Sequence, residues 1–511
     1  MATNPPVTRT HPRLAVQAFW LTFAKFVAAV FGILLPILLV RILSQHEYGV
    51  YKQVFLFSGT ATNFASFSVA VSAFYFMPRQ PQRGGQIALN ILVYNLVVGV
   101  VPLLVLALYP QVLNLVFRSG DLQTYGLLLG VYVVLLLNGN LVETIPTAMQ
   151  DVRNSTAFVV GTQLARAMLI VLAAVILRTV RSTIVAAILA AGLSVIILLQ
   201  YLYRRFGAFW KQFDLQFFKE QLAYALPLGV YGIIWVVRKD LDNYFVSYMY
   251  TPSEYAIYAI GWLEVPLISL FLDSMLSVMV VRISALHQEG RVEDIRNVLA
   301  QAINRLATVQ FPIYALLLVA GRDLIVFFYT KTYEASAHIF YITITLILLN
   351  VFIYDPIVRA YIELRNFILL VRIGVLVGLF IVLGPVIRHF GMTGAAVTAV
   401  LGDLAERLIV GRKICHTIGV RGRDFLRLTD VLRVAAVALV AALVALGVRS
   451  LAMGQILFVR LALTGTSFAA VYLTGFYLWR LPGSELVTKE SIVRYFEKTK
   501  AKLLGPKSKG I

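Results

Sequence analysis

Between Arg83 and Arg118 the chain carries no Asp, Glu, Lys, Arg or His. A stretch that apolar has few folded states open to it. About 20 such residues in a helix cross ~30 Å of hydrocarbon. In lipid the backbone N–H and C=O groups must be satisfied internally, which only helices and closed barrels achieve. Comparable runs recur along the whole chain, whereas the apolar/polar alternation of a membrane barrel does not. The sequence therefore predicts an all-α integral membrane protein. Composition agrees: 59% of the 511 residues are hydrophobic, 14% are charged and the mean hydropathy is +0.82. Soluble domains run nearer half apolar and a quarter charged.

About fourteen spans are predicted, near 18–43, 48–77, 86–109, 122–145, 156–178, 182–203, 222–250, 255–281, 298–320, 336–355, 366–388, 392–411, 430–449 and 456–479. The first run is too long, and too poor in a small-residue cleavage site, for a removable signal peptide. The single cysteine, Cys415, leaves no intramolecular disulfide to form. With the N-terminus placed in the cytoplasm, three basic loops share that side. They carry Arg79 and Arg83, then Arg204, Arg205, Lys211 and Lys219, then Arg412, Lys413, Arg421, Arg423 and Arg427. The tail beyond Trp479 joins them. This positive-inside bias predicts an even number of spans, both termini cytoplasmic, in a cytoplasmic (inner or plasma) membrane. It also accounts for most of the net charge of +20 without nucleic acid as a partner. The tail is expected to rest on anionic membrane lipids.

A repeat organises the spans. Ser44–Tyr51 reads S-Q-H-E-Y-G-V-Y and Thr251–Tyr258 reads T-P-S-E-Y-A-I-Y, so Glu47, Tyr48 and Tyr51 recur as Glu254, Tyr255 and Tyr258. A weaker echo pairs Pro110–Phe117 with Arg322–Tyr329. Six spans separate the copies, so both enter the membrane from the same side. The expectation is two six-helix lobes, 1–203 and 222–411, related by a pseudo-two-fold axis along the membrane normal, with a substrate site between them near the midplane. Residues 204–221 read as a cytoplasmic amphipathic linker, 412–479 as two additional spans and 480–511 as a basic cytoplasmic tail. The E-Y-G-x-Y motif itself reads as a helix cap, its tyrosines belonging to the aromatic belt at the interface.

Four stretches carry a resemblance: R-I-L-S-Q-H-E-Y-G-V-Y (Arg41–Tyr51), its echo after the seventh span, G-R-D-L-I-V-F-F-Y (Gly321–Tyr329) and F-G-M-T-G-A-A-V-T-A (Phe390–Ala399). Together with the span count they resemble the polysaccharide-transporter branch of the multidrug/oligosaccharidyl-lipid/polysaccharide exporter superfamily, which includes O-antigen repeat-unit flippases and the lipid II flippase. The resemblance covers nearly the whole chain. It implies a polyprenyl-diphosphate-linked oligosaccharide as substrate, carried from the cytoplasmic to the outer leaflet by alternating access, with a glycan polymerase or glycosyltransferases as partners.

Ionisable residues inside spans cost at least ~2.5–3.5 kcal/mol each on insertion scales, so they face water, a partner or a substrate. The bases are Lys25, Lys52, Arg166, Arg238, Lys239 and Arg305; the acids are Glu143, Asp240, Asp242, Glu264 and Asp273. The first lobe is cationic on balance. A lipid diphosphate calls for Lys and Arg, arginine adding a planar fork for two oxygens, whereas a drug cation calls for acids. Lys25, Lys52, Arg166, Arg238 and Arg305 are the expected substrate contacts, and Asp240, Asp242 and Glu143 the expected ion-coupling groups. Structural alternatives stand beside them. Arg238 or Lys239 can pair with Asp242 along one helix, Glu143 can be the partner of Arg166, and Lys25 and Arg305 can reach the interface along their stems. Asp403, Glu406 and Arg407 read as a short-range structural network. Tyr75, Tyr94, Asn90, Tyr231 and Tyr244 fit either sugar contact or interior packing.

Three other functions compete. A membrane glycan polymerase or ligase needs a large external loop and an acid–base or metal constellation. The external loops are short, the histidines are isolated, and H-E-x-x-H, G-x-S-x-G and G-x-x-x-x-G-K-[ST] do not occur. No catalysis, cofactor or metal is expected. A cation-coupled multidrug exporter of the same superfamily is the closer rival; a scaffold in a glycan-export complex is the third.

Overall fold

A computed structural model of the chain describes residues 12–117, 120–263, 265–420, 422–482 and 484; a few side chains within these ranges, Lys25 among them, lie outside the description. Most of the expected basic tail therefore falls outside the described residues. Every regular element among them is helical. The chain divides into two compact units, Met1–Ile260 with Gly378–Ala395, and Gly261–Val377 with Ala396–Ile511.

The first unit holds α1 (Pro12–Ile42), α2 (Gln45–Ser66), α3 (Ser72–Arg79), α4 (Gly84–Leu108), α5 (Val112–Phe117), α6 (Gly120–Gln123), α7 (Gly126–Gly139), α8 (Leu141–Ala148), α9 (Val152–Leu177), α10 (Val180–Phe206), α11 (Leu215–Met249) and nearly all of α12 (Pro252–Gly261). The second holds α13 (Pro266–Gln288), α14 (Val292–Tyr329), α15 (Ser336–Thr343), α16 (Thr345–Leu349), α17 (Asp355–Ala360), most of α18 (Ile362–Thr417), α19 (Thr429–Leu451) and α20 (Leu457–Leu478).

Nine helical stretches among the described residues are long and apolar enough to cross a bilayer, and α2 with α3 makes a tenth, bent by 59°. Of the other expected spans, three fall on α1, on α12 with α13 and on α15 with α16, and α18, one of the nine, carries two. The eighth span breaks between Gly261 and Pro266, where the Thr343 hydroxyl donates to the Gly261 carbonyl at 2.7 Å. The eleventh and twelfth run together in α18 and part at Gly391, whose φ of 66° suits glycine alone. This is the first glycine of F-G-M-T-G-A-A.

The bend in the second span has a local cause. Phe67 and Ser68 sit at φ 41° and 58°, left-handed values that strain side-chain-bearing residues. The strained pair is seated against α11 at Gly229, where a Cβ would lie 2.2 Å from the Phe67 ring and 2.5 Å from its carbonyl oxygen. α11, which heads the second lobe in the sequence reading, thus packs in the first unit. Gln53 of α2 also donates to Ser247 of α11 at 2.8 Å. The segment expected as an amphipathic linker is mostly the end of α10 and the start of α11, with Asp214 capping the latter through the N–H groups of Gln216 and Phe217.

Both repeat copies are capping boxes. Ser44 and Glu47 exchange side-chain and backbone hydrogen bonds, and Thr251 and Glu254 do the same. The tyrosines do not form an exposed belt: Tyr48, Tyr51, Tyr255 and Tyr258 are all buried. The two copies pack on each other, because Gly49 lets α2 approach the Pro252 backbone so closely that a Cβ would fall 1.8 Å from its carbonyl oxygen. Gln45 donates to the Ser253 carbonyl at 3.1 Å alongside.

In the second unit a core of Ile, Leu, Val and Ala joins α13, α14 and α18 to α19 and α20. Two buried polar ties reinforce it. Asp323 on α14 receives Arg449 at 2.6 Å and Arg460 at 2.8 Å, fastening the C-terminal helix pair. Glu406 receives Arg372 at 3.0 Å and the Tyr354 hydroxyl at 2.7 Å, while Arg407 binds Asp403, Asn350 and the Leu349 carbonyl. The network expected to be short-range therefore reaches across three helices, because α18 folds back on itself at Gly391 and brings Arg372 to Glu406.

Candidate functional site: a polar cavity at Arg166

Arg166 lies near the middle of α9, too far from either end for its guanidinium to reach the interface along its stem. What surrounds it is a cavity of about 210 Å³ enclosed by α7, α8, α9 and α10. Its polar lining includes Tyr132, Glu143, Thr162, Gln163, Arg166 and Ser194. α10 contributes Ala187, Ala190 and Ala191, and these small side chains leave the space open. A cavity this roomy and polar has space for several waters.

Arg166 is partly tethered. One terminal nitrogen donates to the Tyr132 hydroxyl at 3.1 Å, and the guanidinium carbon stands 5.4 Å from the centre of the Phe55 ring. Phe55 is braced by Tyr51 at 4.5 Å and meets Tyr132 edge-on at 5.8 Å. The Nε of Arg166 is buried and has no hydrogen-bond acceptor. An unmet buried donor costs about 1–3 kcal/mol. Glu143 lines the same cavity, yet no ion pair joins it to Arg166. Direct neutralisation of Arg166 by Glu143 is not what the fold builds; the two charges front one cavity separately.

The acids of W-V-V-R-K-D-L-D are held elsewhere in the first unit. Asp242 is 3% exposed and accepts the Tyr258 hydroxyl at 2.6 Å, and Asp240 accepts Thr60 of α2 at 3.2 Å. Arg238 is half-buried on α11, and Lys239 is exposed with its ammonium 5.6 Å from the Trp235 ring centre. Lys52 stands 5.7 Å from the Tyr48 ring centre on α2, and Arg305 is exposed on α14 in the second unit. None of Lys52, Arg238 and Arg305 lines the Arg166 cavity. The side chain of Lys25 and the whole of Glu264 lie outside the described residues; Asp273 is exposed on α13. Among the described residues no His, Cys, Asp and Glu side chains cluster to hold a metal ion.

Phe55, Tyr132 and Tyr258 were not singled out as site residues in the sequence reading. The repeat held the signal for one of them. Tyr51 and Tyr258 occupy the same repeat position, and Tyr51 comes within electrostatic reach of Arg166 while Tyr258 bonds Asp242.

The sequence matches no curated protein, but the fold resembles solved transporters over most of its length. The lipid II flippase MurJ in its inward closed conformation superposes with a TM-score of 0.65 at 13% identity, covering 91% of this chain and 99% of that one. An inward-facing multidrug resistance MATE transporter of the MOP superfamily gives 0.59 at 13%, covering 77% and 94%. A MOP-superfamily transporter from Pyrococcus furiosus, reported to have a binding pocket of reverse polarity, gives 0.55 at 14%, covering 79% and 95%. At such identities the likeness is one of fold. Sequence supplies the rest: residues 14–287, just over half of the chain and including the whole Arg166 cavity, match the polysaccharide biosynthesis protein family, so the chain belongs to that family.

Proposed function

We propose that the chain is a flippase that moves a polyprenyl-diphosphate-linked oligosaccharide from the cytoplasmic to the outer leaflet by alternating access, for assembly of a cell-surface polysaccharide such as lipopolysaccharide. The observation that carries this reading is Arg166, a mid-span cation that lines a polar cavity and whose buried Nε has no acceptor. A diphosphate oxygen is the acceptor such a group suits, since charge-assisted hydrogen bonds are about twice as strong as neutral ones. Lys25, Lys52, Arg238 and Arg305 supply further positive charge along the route, and Asp240, Asp242 and Glu143 bind the coupling cation or proton. The chain works in the cytoplasmic membrane with both termini inside and hands its cargo to a polymerase or glycosyltransferase. It performs no catalysis itself.

Proteoliposomes containing the purified protein and a labelled polyprenyl-diphosphate oligosaccharide test this, with sidedness read by an impermeant glycan-modifying reagent. Protein-dependent exposure of the glycan is the expected result. Export of organic cations with no movement of any lipid-linked glycan would replace the proposal with the multidrug reading.

A further inference from the structure

Two basic loops that lie far apart in sequence meet at one end of the first unit. Gly84 and Gly85, which open α4, pack beneath Phe206 at the end of α10 and against Gln212. A Cβ at these positions would come within 2.6 Å of the Phe206 ring and 2.7 Å of the Gln212 amide oxygen. The loop carrying Arg79 and Arg83 is thereby fixed beside the one carrying Arg204, Arg205, Lys211 and Lys219. Arg79 stacks 3.9 Å above Tyr75, and Arg83 lies 5.1 Å from the centre of the Phe217 ring. Phe209 is buried and anchors the second loop, while Tyr203 and Trp210 stack at 5.8 Å and face outward.

The outer face of this assembly is both basic and apolar. Arg204, Arg205, Lys211 and Lys219 are exposed, and so are Tyr203, Trp210, Phe213 and Leu215. Nearby acids do little to neutralise it. Asp151 is engaged by Tyr201 and Asn154. The N–H groups of Phe217 and Gln216 hold the carboxyl of Asp214 below the usual carboxylate range, so it stays committed to the α11 N-terminus. Glu220 alone is an uncommitted acid there. Aromatic rings beside clustered cations match the boundary between headgroups and acyl chains, where rings favour the interface and each base adds attraction to a negative surface.

We propose that this end of the first unit is a docking surface for anionic phospholipid headgroups. Arg204, Arg205, Lys211 and Lys219 meet lipid phosphates, and Trp210 and Phe213 seat among the glycerol and upper acyl groups. The surface fixes the depth of α10 and α11 in the bilayer and is independent of what the chain transports.

Trp210 is its own reporter. The full chain is placed in nanodiscs of phosphatidylcholine with about a tenth of phosphatidylglycerol, one lipid or the other carrying bromine as quencher. The Trp210 contribution is the difference from Trp210→Phe. Brominated phosphatidylglycerol is expected to quench Trp210 as if enriched at least about fivefold over its mole fraction, the attraction of roughly one base. The combined Arg204→Gln, Arg205→Gln, Lys211→Gln and Lys219→Gln variant should return quenching to the mole fraction. The charge-keeping set Arg204→Lys, Arg205→Lys, Lys211→Arg and Lys219→Arg should retain the enrichment. In wild-type protein, 1 M salt should remove it, since screening then acts within ~3 Å. Quenching by brominated phosphatidylglycerol no greater than its mole fraction predicts, or enrichment untouched by salt and by the glutamine variant, would overturn the proposal. Loss of enrichment on adding inorganic pyrophosphate at constant ionic strength would also overturn it, by assigning the surface to a soluble phosphate.

Discussion

Arg166→Ala separates a functional arginine from a structural one, because the structure gives opposite expectations for transport and for stability. If Arg166 receives a phosphate oxygen, the variant loses one or two charge-assisted hydrogen bonds worth about 1.5–3 kcal/mol each. At 1.4 kcal/mol per factor of ten, translocation efficiency falls about 10-fold to 100-fold or more. Stability should barely change. Truncation forfeits the Tyr132 hydrogen bond, about 0.5–1.5 kcal/mol, and the stacking on Phe55, about 0.5–2 kcal/mol. It also removes a buried Nε whose missing acceptor costs about 1–3 kcal/mol. These terms nearly cancel. Arg166→Lys keeps the charge but cannot reach Tyr132 and an anion with one planar fork, so an intermediate loss is expected. Tyr132→Phe frees a donor and should not weaken the diphosphate. The assay is initial translocation rate against substrate density in proteoliposomes, with thermal unfolding of each variant measured in parallel. Arg166→Ala that transports within twofold of wild type while unfolding several degrees lower would refute the reasoning and make Arg166 a packing residue.

Other perturbations probe the frame around the site. Gly49→Ala sets a methyl 1.8 Å from the Pro252 carbonyl oxygen and should sharply lower thermal stability, whereas Gly161→Ala meets nothing within 4 Å and should raise it slightly, by up to about 1 kcal/mol. A neutral Gly49→Ala would contradict the close approach of the repeat copies. Asp323→Asn leaves Arg449 and Arg460 without their shared carboxylate and should cost about 3–5 kcal/mol; earlier proteolysis around α19 and α20 is the readout, and unchanged protection would show that apolar packing alone holds the pair. Tyr258→Phe strips a hydrogen bond from the buried Asp242 carboxylate and should destabilise by about 1.5–3 kcal/mol in thermal unfolding, with Tyr258→Trp no rescue.

The helical membrane character, the approximate positions of the spans and the repeat were all legible in the sequence. Each rests on local chemistry: backbone satisfaction in lipid fixes the helix, and the period and length of apolar runs place it. The capping residues of both repeat copies were equally readable, since Ser44 with Glu47 and Thr251 with Glu254 act over three positions. Arg166 stood out because an arginine at mid-span is costly wherever it points. Where each charge points was not legible. Arg166, Lys52 and Arg238 are alike as letters, yet only Arg166 lines the cavity.

Sequence alone, then, determined that the chain is a bundle of membrane helices carrying paid-for charges in its interior. Tertiary structure decided that α11 packs with the first unit, that Tyr258 of the second repeat copy bonds a buried carboxylate, and that Glu143 and Arg166 share a cavity without an ion pair. The reason is physical. Hydrophobicity and backbone hydrogen bonding are properties of a segment and act within a few turns, whereas the partner of a buried charge depends on which helix faces approach. That approach is set by small residues such as Gly49, Gly229 and Ala190, whose role appears only once the helices they admit are in place.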